Sequence, residues 1–163
     1  RVRDRWLRGV QAAEDVLQYS GVVFAGANSG GDGQENGVLT AAEVLGLDLS
    51  GTDTVVLSAC QTGLGRELSG EGIYGLKRAF SLAGARHLIL SLWSVDDQGT
   101  RALMVRFYRH RMEGMPVADA LRRAKLDLLT GNPELESDGL ASSADQFRSP
   151  AVWAAFVASG AVP

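Results

Sequence analysis

The sequence predicts an α/β domain with a mainly parallel sheet and helices on both faces. Thr54 to Ala59 and His87 to Trp93 are short runs of apolar and β-branched residues, typical of strands buried on both faces. Helical patterns alternate with them: Glu71 to Ala83 carries apolar residues on one face, and a longer helix is expected from about Asp97 to Glu113. Strands that alternate with helices indicate parallel strands joined by helical crossovers.

Shorter signals predict the remaining elements. Val22 to Ala25 is a brief apolar run, which we interpret as a strand. Thr40 and Glu43 have the spacing of a capping box, so a short helix is expected to begin there. Pro116 suits the first turn of a helix that runs to about Leu129. Val152 to Ala158 is short and apolar, which predicts a last strand or a closing turn.

The chain length and the predicted loops indicate how the domain is organised. Two polar stretches rich in turn-forming residues predict loops at about 26–37 and 131–150. Gly114 is expected to end the long helix as its C′ residue. With 163 residues, 45% of them hydrophobic, the chain is long enough to bury a core. Residues 1–163 are therefore expected to belong to one domain.

Composition argues against several classes of protein. A net charge of −3 disfavours general binding to nucleic acid. No apolar run approaches the roughly 18 residues needed to span a bilayer. One cysteine fits a reducing compartment, so a cytoplasmic location is expected. The sequence has neither a cluster of metal ligands nor a phosphate-binding glycine loop followed by lysine, so we expect no metal and no cofactor.

Cys60 is the candidate nucleophile. It follows a predicted strand and precedes a loop containing Gly63, at the sheet edge where parallel α/β proteins place their chemistry. There the N–H of Cys60 can help to hold an oxyanion, and Gly63 allows the loop to turn sharply. The alternative is that Cys60 is a small buried apolar side chain, as many free cysteines are.

Several strings in the sequence resemble one known family. Residues 58–65 read SACQTGLG, residues 36–44 read NGVLTAAEV, residues 91–97 read SLWSVDD and residues 153–157 read WAAFV. Taken in chain order they resemble the CHAT domain, a caspase-like family of clan CD cysteine peptidases that is often attached to tetratricopeptide repeats. The resemblance implies a caspase-like three-layer sandwich, of which this chain is the C-terminal part, incomplete without an upstream half. It matches Cys60 to the catalytic thiol.

The catalytic histidine of that family has no counterpart in this sequence. By resemblance, the partner of Cys60 is a histidine in a His-Gly pair, but no histidine precedes Cys60. His87 begins a predicted strand, at the wrong end of the sheet. His110 lies late in a helix, where a cation suits the helix dipole and solvent. Both are expected to be structural, so the catalytic histidine is expected from a companion N-terminal half of the same domain.

Trp93, Asp96 and Asp97 are the candidate substrate-binding residues. An aspartate is a favoured N-cap, so one of the pair is expected to cap the following helix. Separase, a related clan member, has a similar stretch in which an acid recognises a basic side chain before the scissile bond. The similar position here is Asp97, with Asp96 as the second choice. Trp93 is expected to pack in the core or form a pocket wall.

Three functions follow from these observations. The first is a cysteine endopeptidase subunit that cleaves a protein substrate after a basic residue and is inactive as this chain alone. For this subunit the resemblance implies a bacterial regulatory role, with tetratricopeptide repeats as sensors. The second is an inactive caspase-like interaction module. The third is a flavodoxin-like or hydrolase domain of other chemistry, which the motif around Cys60 disfavours.

Overall fold

The computed structural model describes most of the predicted elements. Described are residue 17 and residues 20–24, 27, 37–58, 71–130 and 148–160, with the backbone alone for 71–73. These residues belong to two compact units, one from residues 1–55 and 61–86, the other from residues 56–60 and 87–163. Helices combine with a mixed sheet, as expected of an α/β fold. Cys60, Gly63 and most of the two predicted loops, 26–37 and 131–150, lie outside the described residues.

The first unit contains a small antiparallel sheet followed by a short helix. Strand β1 (Gly21–Val23) pairs with β2 (Val38–Thr40), so that Gly21 lies opposite Thr40. Helix α1 (Ala41–Val44) begins where the capping box was predicted. The Thr40 hydroxyl accepts from the Glu43 N–H at 3.2 Å, and the Glu43 carboxylate accepts from the Thr40 N–H at 2.8 Å. Strand β2 was not predicted, because three half-buried residues carry little periodic signal.

Helix α2 (Glu71–Leu82) packs against α1 in the same unit. Its apolar face is the predicted one, with Leu76 and Phe80 on it and Ala83 just beyond its end, all buried. The backbone around Ala83 is tied to the chain after α1, since the Leu49 N–H donates to the Ala83 carbonyl at 2.7 Å.

A second sheet contains three strands in the order β3-β4-β5. The strands are β3 (Thr54–Leu57), β4 (His87–Ser91) and β5 (Phe156–Gly160). Strand β5 runs antiparallel to β4, with Ser91 opposite Phe156, which corrects the prediction of mainly parallel strands at this position. Two long helices separate β4 from β5, so the chain returns to the end of the sheet where β4 finished instead of crossing to the other end.

Three helices complete the second unit: α3 (Asp97–Met112), α4 (Val117–Thr130) and α5 (Pro150–Trp153). Gly114 follows α3 with φ of 90°, which confirms it as the C′ residue. The prediction of a last strand or a closing turn at Val152 to Ala158 is confirmed by β5 from Phe156 onward, while Val152 and Trp153 belong to the end of α5. None of the described helices is both long and apolar enough to span a bilayer.

The core of the second unit lies mainly between α3, α4 and the end of the sheet. Phe107 on α3 and Phe156 at the start of β5 are completely buried in it. Val95, in the connection after β4, and Val152 on α5 belong to the same cluster. The connection that carries the candidate substrate-binding residues is therefore attached to the core through Val95, directly before Asp96.

Candidate functional site

The candidate site that the structure describes is the connection from β4 to α3. Strand β4 ends at Ser91, and the next residue, Leu92, donates its N–H to the Ala155 carbonyl at 2.8 Å. Trp93 donates its indole N–H to the Ala151 carbonyl at 2.8 Å, and its side chain remains 43% exposed. The indole is therefore partly accessible to a ligand while its nitrogen is bonded to α5.

Asp96 and Asp97 have different bonding. Asp96 has the extended backbone of an N-cap, with φ of −64° and ψ of 155°, and its carboxylate accepts from the Gly99 N–H at 2.9 Å. This confirms that one aspartate of the pair caps the helix. Asp97 is the first residue of α3, is exposed, and has no hydrogen-bond or ion-pair partner within the described part of the chain.

Gly99 lets α3 approach α5 closely. An added Cβ at this position would lie 2.7 Å from Val152 Cγ1 and 2.9 Å from Asp96 Oδ2. Both distances are shorter than the contacts that Cβ atoms make in proteins. Both the cap and the helix contact therefore require a residue without a side chain at position 99. Sequence reasoning missed this role, because the contact joins residues 53 positions apart in sequence.

The two histidines lie away from this connection. His87 is the first residue of β4, at the end of the strand opposite Ser91, as predicted. His110 is 13 residues after Asp97 on the same helix, which corresponds to about 20 Å along the axis. The expectation that His110 faces solvent is wrong: it is 8% exposed, and its Nε2 lies 2.6 Å from Asp127 Oδ2.

Lys125 was missed by the sequence analysis. Its Nζ donates to the Phe156 carbonyl at 2.6 Å, at the start of β5 and opposite the end of β4. Burial lowers the pKa of the Lys125 ammonium below its ordinary value. The available signal was spacing, because Lys125 lies four residues after the buried Leu121 and so shares its helix face.

The described residues contain no group of three or more potential metal ligands. The groups that this connection can offer to a ligand are the exposed carboxylate of Asp97 and the half-exposed indole of Trp93, four residues apart in sequence. Such a pair suits a cationic side chain, which can bond to the carboxylate and lie against the aromatic face.

Comparison with known proteins identifies the family to which this chain belongs. The family model of the CHAT domain matches residues 9–161. Tetratricopeptide repeat protein 28 of Mus musculus is 31% identical over 123 residues, and the protein of the same name from Homo sapiens is 30% identical over 123 residues. Each match covers 76% of this chain but 4% of the relative's length. The chain belongs to the CHAT domain family, which is related to the caspase-like cysteine peptidases.

Proposed function

We propose that this chain is the nucleophile-bearing part of a cysteine endopeptidase that cleaves a protein substrate after a basic residue. In this proposal the complete domain is a caspase-like three-layer sandwich in a reducing, cytoplasmic compartment, with tetratricopeptide repeats as its regulator. Cys60 is the attacking thiol, with Gly63 in the loop beside it. The observation that carries the proposal is a difference between the two acids after β4. The Asp96 carboxylate caps α3, whereas the Asp97 carboxylate does not.

The exposed carboxylate of Asp97, which has no partner among the described residues, supports selectivity for a basic side chain. Because one carboxylate oxygen of Asp96 already accepts the Gly99 N–H, we take Asp97 as the first choice for the acid that bonds a substrate, with Asp96 as the second. An arginine guanidinium can bond to a carboxylate through two parallel N–H groups, which adds geometric selection to the charge attraction. The exposed indole of Trp93, four residues earlier, offers an aromatic face to the same cation.

The proposed reaction is acyl transfer through the thiol. Cys60 Sγ bonds to the carbonyl carbon, the peptide C–N bond breaks, and the proton of the thiol reaches the leaving amine through a histidine. Water then hydrolyses the thioester, which releases the acid and restores the thiol. The backbone N–H groups of Cys60 and of the glycine in the companion His-Gly pair hold the oxyanion.

The histidine comes from a companion polypeptide in this proposal. His87 lies at the far end of β4, and His110 is buried against Asp127. His110 is engaged with Asp127, and His87 begins the strand whose other end leads to the candidate substrate-binding residues, so the proposal takes the base for the Cys60 thiol from outside this sequence. The chain alone is therefore expected to be inactive.

An interaction module without turnover is the second candidate. The observation that favours it is the structural use of both histidines that the structure describes, His87 at the start of β4 and His110 beside Asp127. The names of the two mammalian relatives also refer to repeats and not to a peptidase. In this alternative the same fold binds a protein partner, and Cys60 does not react with substrate.

Labelling of Cys60 by peptide acyloxymethyl ketones tests both candidates. One probe ends in Arg and a control probe ends in Asp, and each is applied to the chain alone and to the chain with a polypeptide that supplies the His-Gly pair. The variants are Cys60→Ala, Asp97→Asn and, as a matched control, Asp119→Asn, which changes an exposed acid in the first turn of α4.

The peptidase proposal expects labelling by the Arg probe, only with the companion polypeptide, and none in Cys60→Ala. Asp97→Asn should slow labelling about 10- to 100-fold, since a hydrogen bond to a charged group contributes about 1.5–3 kcal/mol. Asp119→Asn should label like the unmodified chain. If neither preparation is labelled, the peptidase proposal is wrong and the interaction module stands.

A further inference from the structure

We propose that residues 149–155, the α5 segment, set the position of the Asp97 carboxylate, and that Trp93 is a positioning residue that acts through its bond to Ala151. This inference rests on the proposed function, because it concerns how the basic side chain of the substrate is selected. It assigns to α5 a role in specificity, although α5 is 53 residues beyond Asp97 in sequence.

Three contacts attach the β4–α3 connection to the α5 segment. The Leu92 N–H donates to the Ala155 carbonyl at 2.8 Å, directly after β4 ends. The Trp93 indole donates to the Ala151 carbonyl at 2.8 Å. On the far side of Asp97, Gly99 lies so close to Val152 that a Cβ would be 2.7 Å from Cγ1. Asp97 is therefore held between two contacts to one segment.

The α5 segment is suited to this role because its own geometry is closely restrained. The Ser149 side chain caps the helix by accepting from the Ala151 N–H at 3.3 Å, and Pro150 occupies the first turn. The Ala154 N–H donates to the Pro150 carbonyl at 2.9 Å. Val152 is buried in the core, so that a shift of this helix is transmitted to Gly99 and the start of α3.

The position of the acid matters because a bidentate bond to arginine depends on geometry. A displacement of about 1 Å in a positioning group can cost up to about 100-fold in rate. Loss of the Trp93 bond frees the connection on one side, while the cap from Asp96 to Gly99 still keeps α3 helical. We therefore expect weaker selection of the basic residue with the thiol chemistry preserved.

Two indole variants separate positioning from general stability. Trp93→Phe removes the N–H that bonds Ala151 and keeps an aromatic ring. Trp153→Phe is the matched control, because the Trp153 indole N–H donates to the Arg148 carbonyl at 3.1 Å, so the bond that is lost does not involve the connection. Each is assayed in the chain with its companion polypeptide, by the ratio of Cys60 labelling rates with probes ending in Arg and in Leu.

We expect Trp93→Phe to lower the Arg-to-Leu ratio about tenfold, through a misplaced acid, and Trp153→Phe to leave it unchanged. An unchanged ratio in Trp93→Phe, or an equal fall in Trp153→Phe, would overturn the positioning role while Arg-selective labelling of the unmodified protein still supported the proposed function. Absence of labelling in the unmodified protein would overturn both.

A second pair of variants decides the question if Trp93→Phe does not fold. Gly99→Ala forces a methyl group against Val152 and should lower the same ratio. Val152→Ala removes the two methyl groups that the new Cβ would meet, so the double variant should regain part of the selectivity. A loss of selectivity in Gly99→Ala that Val152→Ala does not relieve would contradict control of Asp97 through α5.

Discussion

His110 Nε2 lies 2.6 Å from Asp127 Oδ2, and this pair joins α3 to α4 inside the second unit. Asp127 is 2% exposed, and its other oxygen lies 3.4 Å from Arg123 Nε. The second ring nitrogen of His110 lies 3.2 Å from Glu113 Oε2. A carboxylate so far from water needs these partners, because its burial without them would cost several kcal/mol.

Asp127→Ala should therefore destabilise the chain strongly. Removing one member of a buried pair costs about 3–5 kcal/mol, because the other member stays buried without its partner. Urea unfolding followed by circular dichroism measures the loss. Asp119→Ala on the same helix is the control and should cost less than about 1 kcal/mol, since its carboxylate is exposed near the positive end of α4. Equal effects of the two substitutions would show that the buried pair contributes little.

Phe107→Ala should be comparably destabilising for a different reason. The Phe107 ring is completely buried and contacts the Tyr108 ring edge-to-face, with centroids 5.0 Å apart. Truncation leaves a cavity in the core and should cost about 3–5 kcal/mol by urea unfolding. Met112→Ala, on the same helix but 83% exposed, should change stability by no more than about 0.5 kcal/mol. A small loss in Phe107→Ala would indicate that the core between α3 and α4 collapses to fill the space.

Glu43→Gln should remove a pH-dependent part of the stability of the first unit. The backbone N–H and then the hydroxyl of Thr40 bond the Glu43 carboxylate and lower its pKa below the ordinary value of 4.5. A lowered pKa stabilises the fold above the pKa of the unfolded chain, and this stabilisation is lost as the pH falls through the folded value. The advantage of the unmodified chain over Glu43→Gln should therefore be constant near neutrality and shrink below pH 4.5.

Thermal unfolding at a series of pH values measures that difference. Thr40→Ala removes the hydroxyl but keeps the backbone N–H, so it should weaken the pH dependence without abolishing it. A gap between the unmodified chain and Glu43→Gln that stays constant down to pH 3 would contradict the capping contribution.

Lys125→Met should change how the stability of the fold depends on pH in the alkaline range. Burial lowers the pKa of Lys125 below its ordinary value of 10.5, so the folded chain releases this proton more readily than the unfolded chain does. The cost of burying the charge is fully present below the folded pKa and disappears as the pH rises toward 10.5. Relative to Lys125→Met, the unmodified chain should gain stability as the pH is raised. A constant difference between neutral and alkaline pH would show that the ammonium keeps its hydration.

Local signals in the sequence were reliable for helix ends and helix faces. The cap at Thr40 and the left-handed backbone at Gly114 depend on residues within a few positions, so their side chains and glycine content predict them. The same applies to the buried face of α2, where Leu76 and Phe80 share one side of a 3.6-residue repeat. The motif around Cys60 likewise identified the family without any structural information.

Contacts between distant segments could not be read from these patterns. The burial of His110 depends on Asp127, 17 residues later on another helix, and an isolated helical pattern places both on ordinary polar positions. The antiparallel direction of β5 depends on how two helices return the chain to the end of β4. Which of two adjacent aspartates caps α3 depends on the backbone angles at Asp96.

The sequence by itself determined the family, the candidate thiol, the acids after β4 and the absence of a histidine before Cys60. The tertiary structure decided which of the two acids caps α3 and which segment lies against the start of that helix. The physical reason is that hydrogen bonds and close packing are properties of positions in space. Asp96 uses its carboxylate on Gly99, and Gly99 lies against Val152 only after the chain between them has folded back.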